Sequence, residues 1–119
     1  GLVTPYLDSI QHKIIQNFTM ENFNCVSERH FNMTDNFSFG EVSEATIAHA
    51  ALEVINDGAD AVIILCTNLA GAGIGASIEQ ETGVPVLDSV VLTIWGALHS
   101  IGKNTSSLFQ WAPAISKIA

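Results

Sequence analysis

Positive charge is the scarcest feature of this sequence. Its 119 residues include four Lys and Arg against twelve Asp and Glu, a formal net charge of −8. Nucleic acids and anionic membrane surfaces need cations to neutralise their phosphates, so neither is an expected partner. Cysteine is also rare: Cys25 and Cys66 make neither a disulfide scaffold nor a zinc site. No apolar run approaches the roughly 18–20 residues of a membrane span. No basic segment followed by an apolar one opens the sequence, so no signal peptide is expected and a cytoplasmic location is. What the chain does have is apolar content, 48% of its residues. Its length lets one domain bury roughly two-thirds of its unfolded surface. Gly1-Leu2-Val3-Thr4 opens it abruptly and reads as the end of a strand whose start is missing.

The hydrophobic pattern reads as strand-helix units. After the first apolar piece and Pro5, Asp8 or Ser9 is expected to cap a helix carrying Ile10, Ile14 and Phe18 at helical spacing. A second strand is expected over Phe23 to Glu28, and a long polar loop over Arg29 to Val42; loops of that length are often functional. Ser43 caps a helix with Ile47, Ala48, Ala51, Leu52 and Ile55 on one stripe, and Asp57-Gly58 stops it. Ala61 to Leu65 is apolar without alternation, as a parallel strand covered on both faces should be. A helix near Gly73 to Thr82, a strand over Val84 to Leu87 and a helix over Val90 to Ile101, capped by Asp88 or Ser89, complete the pattern. The expectation is an α/β domain over residues 1–102: an open parallel four-stranded sheet, flavodoxin-like, with helices on both faces. Residues 103–119 form a Ser/Asn-rich tail ending in a short helical piece.

In open parallel sheets, ligands sit beyond the carboxyl ends of the strands, which makes the residues just after each strand the candidates. Cys66 follows the most buried strand and precedes a small-residue turn, where backbone N–H groups could stabilise a thiolate or bind a carboxylate. Thr67 and Asn68 add neutral donors. The bland alternative is a small buried apolar residue, and Cys25, inside a presumed strand, reads that way. Tyr6 could donate its phenol to a carboxylate or simply pack with a wet tip. Asn36 could bind a ligand from the long loop, or Asp35 and Asn36 could only form a turn. Asp88 and Ser89 could be no more than a cap.

Other motifs are weaker. Gly71-Ala-Gly-Ile-Gly75 has its third glycine one residue early for a dinucleotide fingerprint. His12, His30, His49 and His99 show no paired metal-ligand spacing and read as surface residues. Asn17, Asn32, Asn36 and Asn104 begin Asn-x-Ser/Thr triplets, where roughly one is expected by chance. With no signal peptide visible in these residues, they read as coincidence.

Four segments in order resemble one superfamily. Gly58-Ala-Asp-Ala-Val-Ile-Ile-Leu-Cys66-Thr-Asn-Leu69 resembles the second cysteine motif of the aspartate/glutamate/hydantoin racemase superfamily. The likeness is closest to its maleate cis–trans isomerase and arylmalonate decarboxylase branch. Thr4-Pro5-Tyr6 with Asp8 looks like that family's strand-end tyrosine motif. Thr34-Asp35-Asn36-Phe37 looks like its loop asparagine motif, and Gly83 to Ser89 with Leu92 and Trp95 looks like its last strand-helix unit. After Leu69, Ala70-Gly71-Ala72-Gly73 stands where the isomerases usually carry Arg-Thr and a polar run.

The resemblance implies one half of a two-domain, cofactor-independent enzyme acting on a small dicarboxylate in a cleft between similar halves. It implies that Cys66 handles a proton opposite a partner cysteine from the missing N-terminal half or another subunit. Tyr6, Asn36, Thr67 and Asn68 would bind substrate carboxylates. Maleate–fumarate isomerisation is the leading activity, with arylmalonate decarboxylation or amino-acid racemisation as alternatives. A non-catalytic carboxylate-binding or subunit-pairing half, with a homo-oligomer left open, is the reading from a different class.

Overall fold

The computed structural model describes residues 1–118. Strand β1 (Leu2–Thr4) leads to helix α1 (Asp8–Met20), β2 (Glu28–His30), α2 (Asn36–Glu41) and α3 (Glu44–Asn56). Then come β3 (Val62–Ile64), α4 (Gly75–Thr82), β4 (Val86–Asp88) and α5 (Ser89–Ser100). Two 3-10 turns, Ser106–Leu108 and Pro113–Lys117, follow. The four strands form one parallel sheet in the order β2-β1-β3-β4. The chain leaves β1 toward one edge and β3 toward the other. The carboxyl ends of these two central strands therefore flank the switch point, where an open sheet leaves a crevice.

Alternation along the strands assigns the faces. Val3, Val62, Ile64 and Val86 pack with Ile47, Ala50, Ala51 and Val54 of α3 and with Ile78 of α4. The two alanines keep α3 close to the sheet. Each Val or Ile fully buried there stabilises the fold by about 1.5–3 kcal/mol. Leu87 points the other way and joins Val91, Leu92 and Trp95 of α5 with Ala112 and Ile115 beyond it. Thr4 also faces that side and bonds to Gln11, the one fully buried residue of α1. Helices therefore cover both faces, as the pattern implied.

Three local expectations are corrected. The second strand is Glu28–His30, not Phe23–Glu28. Residues 29–42 are not one loop, since they contain the end of β2 and all of α2. Neither Asp8 nor Ser9 caps α1: its cap position is Leu7, which makes no side-chain bond. Ser43 caps α3 as expected, its hydroxyl accepting from the Thr46 N–H. Asp88 caps α5, accepting from Val90 and Val91. No helix among the described residues is long and apolar enough to cross a membrane.

Candidate functional site

Cys66 lies two residues beyond β3, at the carboxyl end of the central strands, and is 6% exposed. Its backbone is fixed by Ser89: the Cys66 N–H donates to Ser89 Oγ at 2.8 Å, and that hydroxyl donates to the Ile64 carbonyl at 2.8 Å. One serine thus ties the end of β3 to the start of α5. The chain then turns tightly, and the Asn68 N–H donates to Cys66 Sγ at 3.4 Å. Tyr6 arrives from the end of neighbouring β1. Burial, and next a hydrogen bond to the Cys66 thiol, push its phenol up to about 12. The Tyr6 ring packs edge-on against Phe39 of α2, with centroids 5.7 Å apart.

The turn after Cys66 needs small residues. A Cβ on Gly71 would stand 2.8 Å from both Asp88 Oδ2 and Ile64 Cγ2, and one on Gly75 would stand 3.0 Å from the Val86 carbonyl. The Asp88 Oδ1 is the cap of α5, while Oδ2 is buried and has no hydrogen-bond partner among the described residues. Burial pushes the Asp88 carboxyl up against the bonds from Val91 and Val90. Asp88 is the cap, whereas Ser89 does not cap but holds Cys66 directly.

The structure joins the proposed site residues unequally. The Asn68 backbone reaches the Cys66 thiol, and Tyr6 packs against the cluster that holds Cys66, near enough for the thiol to raise its pKa. The Thr67 and Asn68 side chains are exposed, and among the described residues no acceptor takes the Thr67 N–H. Asn36 is the exposed first residue of α2, on the helix whose Phe39 touches Tyr6. Among the described residues no hydrogen bond links its amide to Tyr6 or Cys66. Asp35 is the cap of α2, and its bonds from the Ser38 hydroxyl and N–H hold its carboxyl below the usual range. Cys25 sits at the opposite, amino end of the sheet, lining an apolar cavity of about 420 Å³ with Leu2, Phe23, Val26 and Ile63. Among the described residues no group of three or more His, Cys, Asp or Glu could hold a metal ion.

His30 was misread from the sequence, as was Cys25, which lies outside any strand and is half-buried. His30 is no free surface histidine: both ring nitrogens face carboxylates, those of Glu28 and Asp8. The signal was Glu28-x-His30, which puts both side chains on one face of a strand, but it becomes visible only once β2 is placed there.

Fold and site together define an open parallel α/β domain with a buried cysteine at the carboxyl end of its central strand, flanked by neutral hydrogen-bond donors. Its sequence matches the family model of arylmalonate decarboxylase over residues 1–110, and the chain belongs to that family. It is also 26% identical over 102 residues to the maleate isomerase of Nocardia farcinica, covering 85% of this chain and 41% of that one. A cysteine-to-serine mutant of the N. farcinica maleate cis-trans isomerase, with a covalently bound succinylcysteine intermediate, superposes with a TM-score of 0.78 at 25% identity, over 86% of this chain and 42% of that one. A liganded double mutant of arylmalonate decarboxylase gives a TM-score of 0.80 at 20% identity, over 85% of this chain and 44% of that one, a likeness of fold. The chain thus spans about two-fifths of the length of the relatives it matches.

Proposed function

We propose that this chain forms one half of a cofactor-free site for small dicarboxylates, in which the Cys66 thiol transfers a proton to and from a carbon next to a carboxylate. The observation that carries this is the Cys66 centre itself: a buried thiol at the switch point, with the Asn68 N–H donating to its sulfur and the Tyr6 phenol close enough for the thiol to raise its pKa. These donors are placed to meet the charge left on sulfur when its proton departs. The unpaired Thr67 N–H, with Tyr6 and Asn36, would receive substrate carboxylates.

Maleate–fumarate isomerisation is the leading reading, supported by the maleate isomerase relatives and by the succinylcysteine in one of them. A thiolate outside this chain, from an N-terminal half or another subunit, adds to one alkene carbon. The displaced electron pair moves into the adjacent carboxylate as an enediolate, and the Cys66 thiol protonates its α-carbon. The resulting succinyl thioether rotates about what is now a single bond. The Cys66 thiolate takes the proton back, and the enediolate expels the first thiolate to leave fumarate. The second reading is decarboxylation of an arylmalonate, favoured by the family model: loss of CO2 leaves an enediolate that Cys66 protonates on one face.

The test joins the chain to a complementary half and supplies maleate, an arylmalonate and an amino acid in turn, with products read by NMR and chiral analysis. The chain alone is expected to convert none of them. The joined protein is expected to convert maleate, with the rate falling by about 10²–10⁴-fold in Cys66→Ser, the range for losing a positioned acid–base group. Full activity in that variant would remove Cys66 from the reaction, and turnover of the arylmalonate alone would select the second reading.

A further inference from the structure

His30 lies outside the Cys66 centre, and the proposed chemistry makes no use of it, yet its ring is held on both sides. Nδ1 stands 2.7 Å from Glu28 Oε2, and Nε2 meets an Asp8 carboxylate oxygen. Ionised carboxylates only accept hydrogen bonds, so both contacts are satisfied only by an imidazolium with a proton on each nitrogen. From Glu28 the bonds run inward. The same Oε2 accepts from Gln11 Nε2 at 2.9 Å. That fixes the Gln11 amide, whose Oε1 accepts from Thr4 Oγ1 at 2.6 Å. Thr4 Oγ1 in turn accepts from the Tyr6 N–H at 3.4 Å. Gln11 and Thr4 are buried, 2% and 0% exposed. The Tyr6 N–H, Thr4 and Gln11 thus each donate one step toward Glu28, and His30 donates to the same Glu28 oxygen from the other side.

A second track starts from the same residue through the backbone. Immediately after His30, the Phe31 N–H donates to the Thr4 carbonyl at 3.1 Å, Asn32 to Tyr6 at 3.2 Å and Met33 to Pro5 at 2.9 Å. The segment that presents Tyr6 is thus gripped at its N–H by one track and at its carbonyl by the other.

We propose that His30, as an imidazolium, is a positioning residue for Tyr6: its charge holds Glu28 and, through Gln11 and Thr4, the end of β1, so that the placement of Tyr6 beside Cys66 follows the protonation state of His30. The charged groups facing the ring are Glu28 on its own strand and Asp8 on α1. Arg29 is engaged elsewhere, pairing with Glu53 and Asp57. His12 and Lys13 of α1 are exposed and exchange no hydrogen bond with the ring. β1 contributes no titratable side chain. Loss of one ring proton removes the histidine donor from one carboxylate, and Asp8 and Glu28 then face each other with no cation between them. Hydrogen bonding to Glu28, and then to Asp8, raises the pH at which this happens above the ordinary histidine value of 6.5, against the opposing effect of burial.

The test reads the chain itself, without turnover, so its failure and failure of the proposed chemistry are separable. The isotopically labelled protein is titrated by NMR from about pH 5 to about pH 9, the range that spans histidine ionisation, following the His30 ring and the Tyr6 amide. The ring is expected to titrate above 6.5, with the Tyr6 amide moving at the same midpoint. In His30→Gln the pH-dependent movement of that amide disappears. In Thr4→Val the ring still titrates while the amide responds weakly, and Thr4→Ser restores the response. Gln11→Met makes the same cut should Thr4→Val not fold. A Tyr6 amide indifferent to His30 ionisation, or one that moves unchanged in His30→Gln, overturns the proposal.

Discussion

Tyr6 is the one tyrosine in the chain, so its ionisation can be followed without interference from another. Its phenol is raised from 10.0 to about 12, first by burial and second by its hydrogen bond to Cys66. A neutral phenol beside the thiol acts as a donor throughout the physiological range. Absorbance titration should therefore show tyrosinate emerging well above pH 10 while circular dichroism still reports a folded chain. Cys66→Ala, which removes the second cause and leaves the first, should lower the midpoint without returning it to 10.0. A midpoint at the ordinary value in both proteins would separate Tyr6 from Cys66. The sign for stability is fixed by the same shift. The unfolded chain ionises this tyrosine first, so the native state loses stability as pH climbs from about 10.

The elements differ in how openly the sequence announced them. β3 was legible because Val62, Ile63 and Ile64 are apolar on both faces, and α3 because Ser43 precedes a clean apolar stripe and Gly58 (φ +107°) ends it. β2 was not legible. It is an edge strand of Glu28, Arg29 and His30, held by Arg29 to Glu53 and Asp57 and by His30 to Asp8. Charged edge strands resist pairing with other chains, but they carry no apolar alternation to read. The apolar run that suggested a strand, around Phe23 and Val26, is instead exposed at the amino end of the sheet. Cys66 and Tyr6 were legible from their positions after strands. The role of Ser89 as a tether was not, because that depends on α5 starting beside β3 in space.

The connection from β3 to α4 shows the same dependence on packing. Gly71 is buried between Asp88 and Ile64, both held in place, whereas an added Cβ at exposed Gly73 would meet only the end of the Glu44 side chain at 3.1 Å. Gly71→Ala should lower unfolding free energy by about 1–3 kcal/mol, the range for overpacking a tight interior site. Gly73→Ala should stay within about 0.5 kcal/mol, as surface changes do. Urea denaturation of the two variants checks this, and equal stabilities would show that the turn does not close tightly over Asp88.

At the scale of the whole molecule, the ionising groups define where the fold is strongest. His30 is raised above 6.5, so its contribution is complete below that value and is lost as pH rises through its folded value. Asp88 is raised by burial. The unfolded chain gives up this proton near 3.8 while the native one resists, so stability also falls as pH climbs from there. Self-repulsion from a net charge of −8 acts in the same direction near neutrality. Opposing them on the acid side, Asp35 and Asp57 are lowered by their hydrogen bonds, and what they contribute is lost as pH falls below 3.8 through their folded values. Together these shifts place maximum stability between about pH 4 and about 6.5, toward the acid end of the usual range of roughly 5–8. Thermal unfolding across that range and up to about pH 9 should show it. His30→Gln should flatten the decline above 6.5, and Asp88→Asn the decline that begins just above 3.8. Unchanged slopes in both variants would mean that the overall charge, rather than His30 and Asp88, governs the decline, and a maximum on the alkaline side of neutrality would overturn the account of how the fold responds to pH.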